Sequence, residues 1–161
     1  MKTIKFLAIL ISSFGLSSCA PLKPPVIIKN GTVENYKYIF ISSTNSLTSG
    51  SGATYGGQYY SSSKSVNPSD VITGILSKEG YIRLPELKPE LADETIIVNY
   101  GESGRRNRGL GYTIEVTIQL VSAKSHALIC SCTAEGQGET EADDIRKAIT
   151  RCLSGLLSKG N

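Results

Sequence analysis

The clearest pattern in the chain runs from Tyr112 to Leu120, where Tyr112, Ile114, Val116, Ile118 and Leu120 alternate with Thr113, Glu115, Thr117 and Gln119. A period of two predicts a strand with one buried and one wet face. From about Glu141 to Leu157 the period changes. Ile145, Ala148, Ile149, Cys152, Leu153 and Leu156 recur at helical spacing, and Thr140 with Asp143 makes a capping-box-like start. Burying each large aliphatic side chain is worth roughly 1.5–3 kcal/mol, so this helix must dock on the sheet.

A second helix opens at Asn67-Pro68-Ser69-Asp70. Asn caps, Pro takes the first helical position, and Asp70 meets the positive end of the dipole. Val71, Ile72, Ile75 and Leu76 line one face, and Gly80 stops the helix. Tyr36–Ile41 is rich in β-branched and aromatic residues and predicts a strand, as does Tyr81–Leu84. Thr95–Tyr100 is a continuous apolar run that implies burial on both faces, and His126–Ala134 returns from the preceding strand as a hairpin. Val26–Ile28 with Asn30-Gly31 reads as a short strand and turn. Residues 42–66 are Ser, Gly, Thr and Tyr with almost no aliphatic side chain. They predict a flexible excursion or a loose hairpin through Tyr55-Gly56-Gly57-Gln58-Tyr59, since structureless loops of that length are uncommon in compact domains. Gly101–Gly111 reads as a polar connecting loop. The order of strand, helix, four strands and helix predicts an α+β fold, with an antiparallel or mixed sheet of about five strands and two helices on one face.

The start of the chain is different in kind. Lys2 and Lys5 precede an apolar run, Phe6–Leu16, that is too short to span a bilayer and suits the hydrophobic region of a secretory leader. It ends in Leu16-Ser17-Ser18-Cys19, which resembles the lipobox of bacterial lipoprotein precursors. The resemblance implies cleavage before Cys19 and acylation (palmitate among the chains) of its thiol, which anchors the protein to a membrane. Residues 1–18 are then a signal peptide, and 19–35 a lipidated N-terminus and tether. Residues 36–161 form a single α+β periplasmic domain carrying the Ser/Gly/Tyr-rich loop 42–66. Ala20 is not the aspartate that favours inner-membrane retention in such lipoproteins, so the resemblance implies the outer membrane. Pro21, Pro24 and Pro25 favour an extended spacer.

Composition changes the picture in two places. The chain is formally +3, and loss of Lys2 and Lys5 leaves about +1, so electrostatics offer no case for nucleic acid. There is no Trp, and Phe40 is the one Phe beyond the leader, so aromatic burial rests on eight tyrosines. The tyrosine-rich Tyr36–Phe40, the Gly80-Tyr81 step, Ala92-Asp93, and the hairpin Gly111–Gly136 before the last helix together resemble small Gram-negative envelope lipoproteins of unknown function. That resemblance brings no catalytic residues, and the Ser/Gly/Tyr insert departs from it.

Three groups of residues invite chemistry. Cys130, Cys132 and Cys152 with His126 suggest a metal, but His126 is four residues from Cys130, about 13 Å along a strand, and three thiolates make a poor zinc site. In an oxidising compartment the alternatives are a bridge from Cys152 to Cys132 or Cys130, or three buried free thiols. Arg105, Arg106 and Arg108 among glycines suggest an anion site, or else a solvated loop. Tyr55, Tyr59 and Tyr60 amid Ser and Gly have the composition of adaptable binding loops, with an envelope protein or a glycan as partner. Enzyme signals are thin. Gly101-Glu102-Ser103-Gly104-Arg105 lacks the nucleophile-elbow spacing, and His126 reads as a solvated turn residue. No metal or cofactor is expected. The reading is a non-catalytic, membrane-anchored envelope lipoprotein that binds or steadies another component. The alternatives are a small envelope enzyme such as a cell-wall hydrolase, and a structural surface component.

Overall fold

A computed structural model describes residues 21–108 and 111–158. The leader and Cys19 lie outside the described residues. The fold is α+β. Its strands are β1 (Val26–Lys29), β2 (Tyr38–Ile41), β3 (Leu47–Tyr55), β4 (Gln58–Val66), β5 (Ile82–Arg83), β6 (Thr95–Arg108), β7 (Gly111–Ser122) and β8 (Leu128–Gly136). The helices are α1 (Pro68–Lys78) and α2 (Glu141–Leu157), with a 3-10 turn at Pro89–Glu94. Six strands form one sheet in the order β1-β8-β7-β6-β2-β5, while β3 and β4 pair only with each other. The sheet is mixed: β1, β8, β7 and β6 are antiparallel neighbours, and β2 runs parallel to both β6 and β5.

Both helices lie on one face of this sheet, as their periodicity requires. Ile39, Ile41, Ile96, Val98, Ile114, Val116, Ile118 and Leu120 meet Ile72 and Leu76 of α1 and Ile145, Ile149 and Leu153 of α2 in one buried cluster. The caps form as their residue types dictate. Asn67 accepts from Ser69 N, and Thr140 accepts from Asp143 N. After α1, Gly80 at φ 95° lets Tyr81 N donate to Leu76 O and Gly80 N to Ser77 O, the Schellman arrangement that only a left-handed residue permits.

Two elements differ from their reading in the sequence, and two others sharpen it. β1 is the short strand read at Val26–Ile28, but it lies within the segment read as tether and pairs with β8, Ile27 opposite Cys132, so the folded part begins ahead of Tyr36. Residues 42–66 take the second of the two readings offered for them, a hairpin through Tyr55–Tyr59, but as two regular nine-residue strands, β3 and β4. Gly101–Arg108 is not a loop but the outer half of β6, paired through Arg108 opposite Gly111. Thr95–Tyr100 is not buried on both faces: Ile96 and Val98 are buried, Ile97 is half-buried and Asn99 is exposed. The reason is that both helices pack on the Ile96 and Val98 face, so Ile97 and Asn99 lie on the side away from them.

Candidate functional site

The β3–β4 hairpin is exposed along most of its length. It reverses at Gly56 (φ 59°) and Gly57 (φ 79°), the two consecutive left-handed positions of a tight turn whose twist matches the flanking strands. Its register places Tyr55 opposite Gln58, Thr54 opposite Tyr59 and Ala53 opposite Tyr60. Tyr55 and Tyr60 therefore share one face, and Tyr59 takes the other. The three side chains are 82%, 61% and 71% exposed, respectively. Tyr59 lies across Gly52, where a Cβ would collide with its ring and hydroxyl.

The root of this hairpin is fixed to the amino end of α2. Val66 is buried and Leu47 packs against the core. Lys64 Nζ lies 2.7 Å from Asp143 Oδ2 and 3.2 Å from Glu139 Oε2. Hydrogen bonding to Asp143 and then Glu139 raises the Lys64 pKa, and the same contact holds Asp143 below the usual carboxylate range. Ala142 N donates to Ser49 Oγ at 2.8 Å, so the hairpin satisfies one of the amide groups that every helix start leaves without an internal partner. Arg146 Nη2 donates to Ser65 O at 3.1 Å. The result is an arm held at its base with its tyrosines in solvent.

The three arginines do not form the anion site suggested by their spacing. A bulge between Glu102 and Gly104 shifts the register of β6, after which Arg105 faces α2 while Arg106 and Arg108 face away. Arg105 pairs with Glu141 and stacks 5.2 Å from the Tyr112 ring centroid. Arg106 donates from Nε at 2.7 Å and Nη2 at 2.6 Å to the two oxygens of Glu135, and Arg108 donates to Gln137. Each guanidinium is engaged by its own chain. Glu135 is only 3% exposed. The bidentate Arg106 contact, aided by a 3.1 Å bond from Lys23 N, holds its pKa down at about 2.

Cys132 and Cys152 are joined as a disulfide with Cα atoms 5.6 Å apart, and Cys130 is free and buried. His126 sits exposed at φ 54° in the β7–β8 turn. Among the described residues no group of three His, Cys, Asp or Glu could hold a metal, and no helix is long and apolar enough to cross a membrane. A cavity of about 560 Å³ opens at the carboxyl end of α2, between Tyr36, Glu79, Tyr81, Cys130 and Leu156. Burial pushes the Cys130 thiol up, so it stays protonated and unreactive at neutral pH. The Tyr81 hydroxyl is spent on Val33 O at 3.2 Å.

Sequence reasoning singled out the tyrosines but missed the residues that hold their arm, Ser49, Lys64 and Asp143. The one available signal was the first charge after a long uncharged stretch, at Lys64. No family model matches the chain, and no curated protein matches it. Among solved structures it is similar to a dodecamer of a PelC point variant from Paraburkholderia phytofirmans, at 14% identity over 86% of this chain and 100% of that chain, with a TM-score of 0.47.

Proposed function

We propose that this chain is a lipid-anchored protein of the cell envelope, held by Cys19 in the outer membrane and facing the periplasm. Its α+β domain is a non-catalytic binding module that presents the β3–β4 hairpin to another envelope component. The observation that carries this reading is the combination of a root fixed at Ser49, Lys64 and Val66 with a tip whose three tyrosines stand in solvent. Large apolar rings left exposed on a rooted arm cost no refolding to engage, and Tyr provides contact area at low entropic cost. The lipobox-like Leu16–Cys19 supports the anchor.

The test is a photoreactive group in place of Tyr55 in living cells, beside the same group at Lys124, which is exposed in the distant β7–β8 turn. Envelopes are sedimented and conjugates identified by mass spectrometry. The expected result is one dominant envelope conjugate from position 55 and only background from 124. Equal labelling from both positions, or a chain with intact Cys19 that stays in the soluble fraction, overturns the proposal.

A further inference from the structure

The hairpin tip has a chemistry narrower than general stickiness. From Leu47 to Ser63 the chain contains no Asp, Glu, Lys, Arg or His, although charged residues make up 19% of the whole. Lys64, the first charge, is already paired at the root. No aliphatic side chain larger than Ala lies between Thr48 and Ser65. What the surface offers instead is aromatic rings and hydroxyls.

Their arrangement follows from the register. Tyr55 faces Gln58 across the ladder and Tyr60 faces Ala53, so Tyr55 and Tyr60 are diagonal neighbours on one face, with Cβ atoms about 7 Å apart. Ser51 and Ser62 pair on the same face one step further toward the root. The platform thus reads, from tip to root, as an amide with a ring, then a second ring, then a pair of hydroxyls.

We infer that this face is a carbohydrate-binding platform for a neutral polysaccharide strand, a deepening that rests on the contact-surface reading above. An aromatic face is electron-rich and attracts the polarised C–H face of a pyranose. Gln58, Ser51 and Ser62 supply donors and acceptors for the hydroxyl groups at the sugar's edge. An uncharged platform gains nothing from a carboxylated or sulfated strand, which would give up hydration without a counter-charge. A protein partner is the less favoured occupant. Protein interfaces concentrate their energy in Trp and Arg as well as Tyr, seated in desolvated pockets, and this tip supplies neither Trp, Arg nor a pocket.

The experiment is isothermal titration of the full chain in detergent with cellohexaose, chitohexaose in its N-acetylated form and the anionic polygalacturonate. The variants are Tyr55→Ala, Tyr60→Ala and Tyr59→Ala. Binding of at least one neutral hexamer is expected, weakened tenfold or more by Tyr55→Ala or Tyr60→Ala and less than twofold by Tyr59→Ala. Far-UV circular dichroism checks that each variant keeps its fold. The inference is overturned if no neutral hexamer binds, if polygalacturonate binds more tightly, or if Tyr59→Ala has the larger effect. Specific photolabelling of an envelope protein from position 55, with no neutral hexamer bound, leaves the contact-surface reading standing and removes the carbohydrate. Background labelling from position 55 together with no neutral hexamer bound removes both.

Discussion

Removing the Arg106 guanidinium tests the electrostatics of the extended β6–β7 ribbon most directly. Glu135 is 3% exposed and takes two charge-assisted bonds from Arg106, at 2.7 and 2.6 Å. A carboxyl held at about 2 against its usual 4.5 contributes about 3 kcal/mol to folding at neutral pH. The sign follows from the direction of the shift. The folded-state value is depressed, so the contribution is complete above pH 4.5 and is lost as pH falls toward 2. In Arg106→Gln the carboxylate remains buried with only Lys23 N as a donor, and its pKa moves up. The variant should therefore be about 3 kcal/mol less stable than the parent at pH 7 but only about 1 kcal/mol less stable at pH 3. Urea titrations of the full chain in detergent, followed by far-UV circular dichroism, read both values. A deficit that is the same at the two pH values, or below about 1 kcal/mol at pH 7, would refute the assignment of this stability to the buried pair.

Two further predictions concern the seam between α2 and β8. Reduction of Cys132–Cys152, which spans 20 residues, should lower stability by about 3 kcal/mol through loop-closure entropy in the unfolded chain. Non-reducing denaturation followed by thiol counting should find one reactive thiol among Cys130, Cys132 and Cys152; three would sink the pairing. Gly136→Ala should cost more than about 3 kcal/mol or prevent folding, because a Cβ there would fall on the Asp144 carbonyl oxygen and the Ala148 nitrogen. An unchanged thermal midpoint would show that β8 and α2 are not in backbone contact at this point.

The sequence disclosed elements wherever the contrast between apolar and polar positions was strong. β7 alternates cleanly, and α1 and α2 announce both their faces and their caps, so these three were legible. β3 and β4 were legible only as one of two alternatives, because an alternation of Ser, Thr and Gly leaves both faces alike in polarity. The outer half of β6 was hidden for another reason. Its arginines read as loop residues until their partners are known, and Glu135, Gln137 and Glu141 lie 29 to 36 residues away. The bulge after Glu102 then turns Arg105 toward α2 and Arg106 away from it, the reverse of what an unbroken alternation from Ile96 and Val98 would give. β1 was ambiguous because Val26, Ile27 and Ile28 are apolar yet remain exposed on an edge.

The fixing of the hairpin to the amino end of α2 also defines a route for mechanical force. A pull on the tyrosine tip reaches α2 through Ser49, Lys64 and Val66. It crosses to β8 through the covalent link at Cys152 and Cys132, then enters β1 through the ladder that sets Ile27 opposite Cys132. From β1 it passes to the proline-rich segment before Val26. The first joint on that route is made of ion pairs and a hydrogen bond, which stand in series with a covalent bond. Under load the arm should detach from the helix while the helix stays riveted to the sheet, so the domain yields at its tip before it yields in its core.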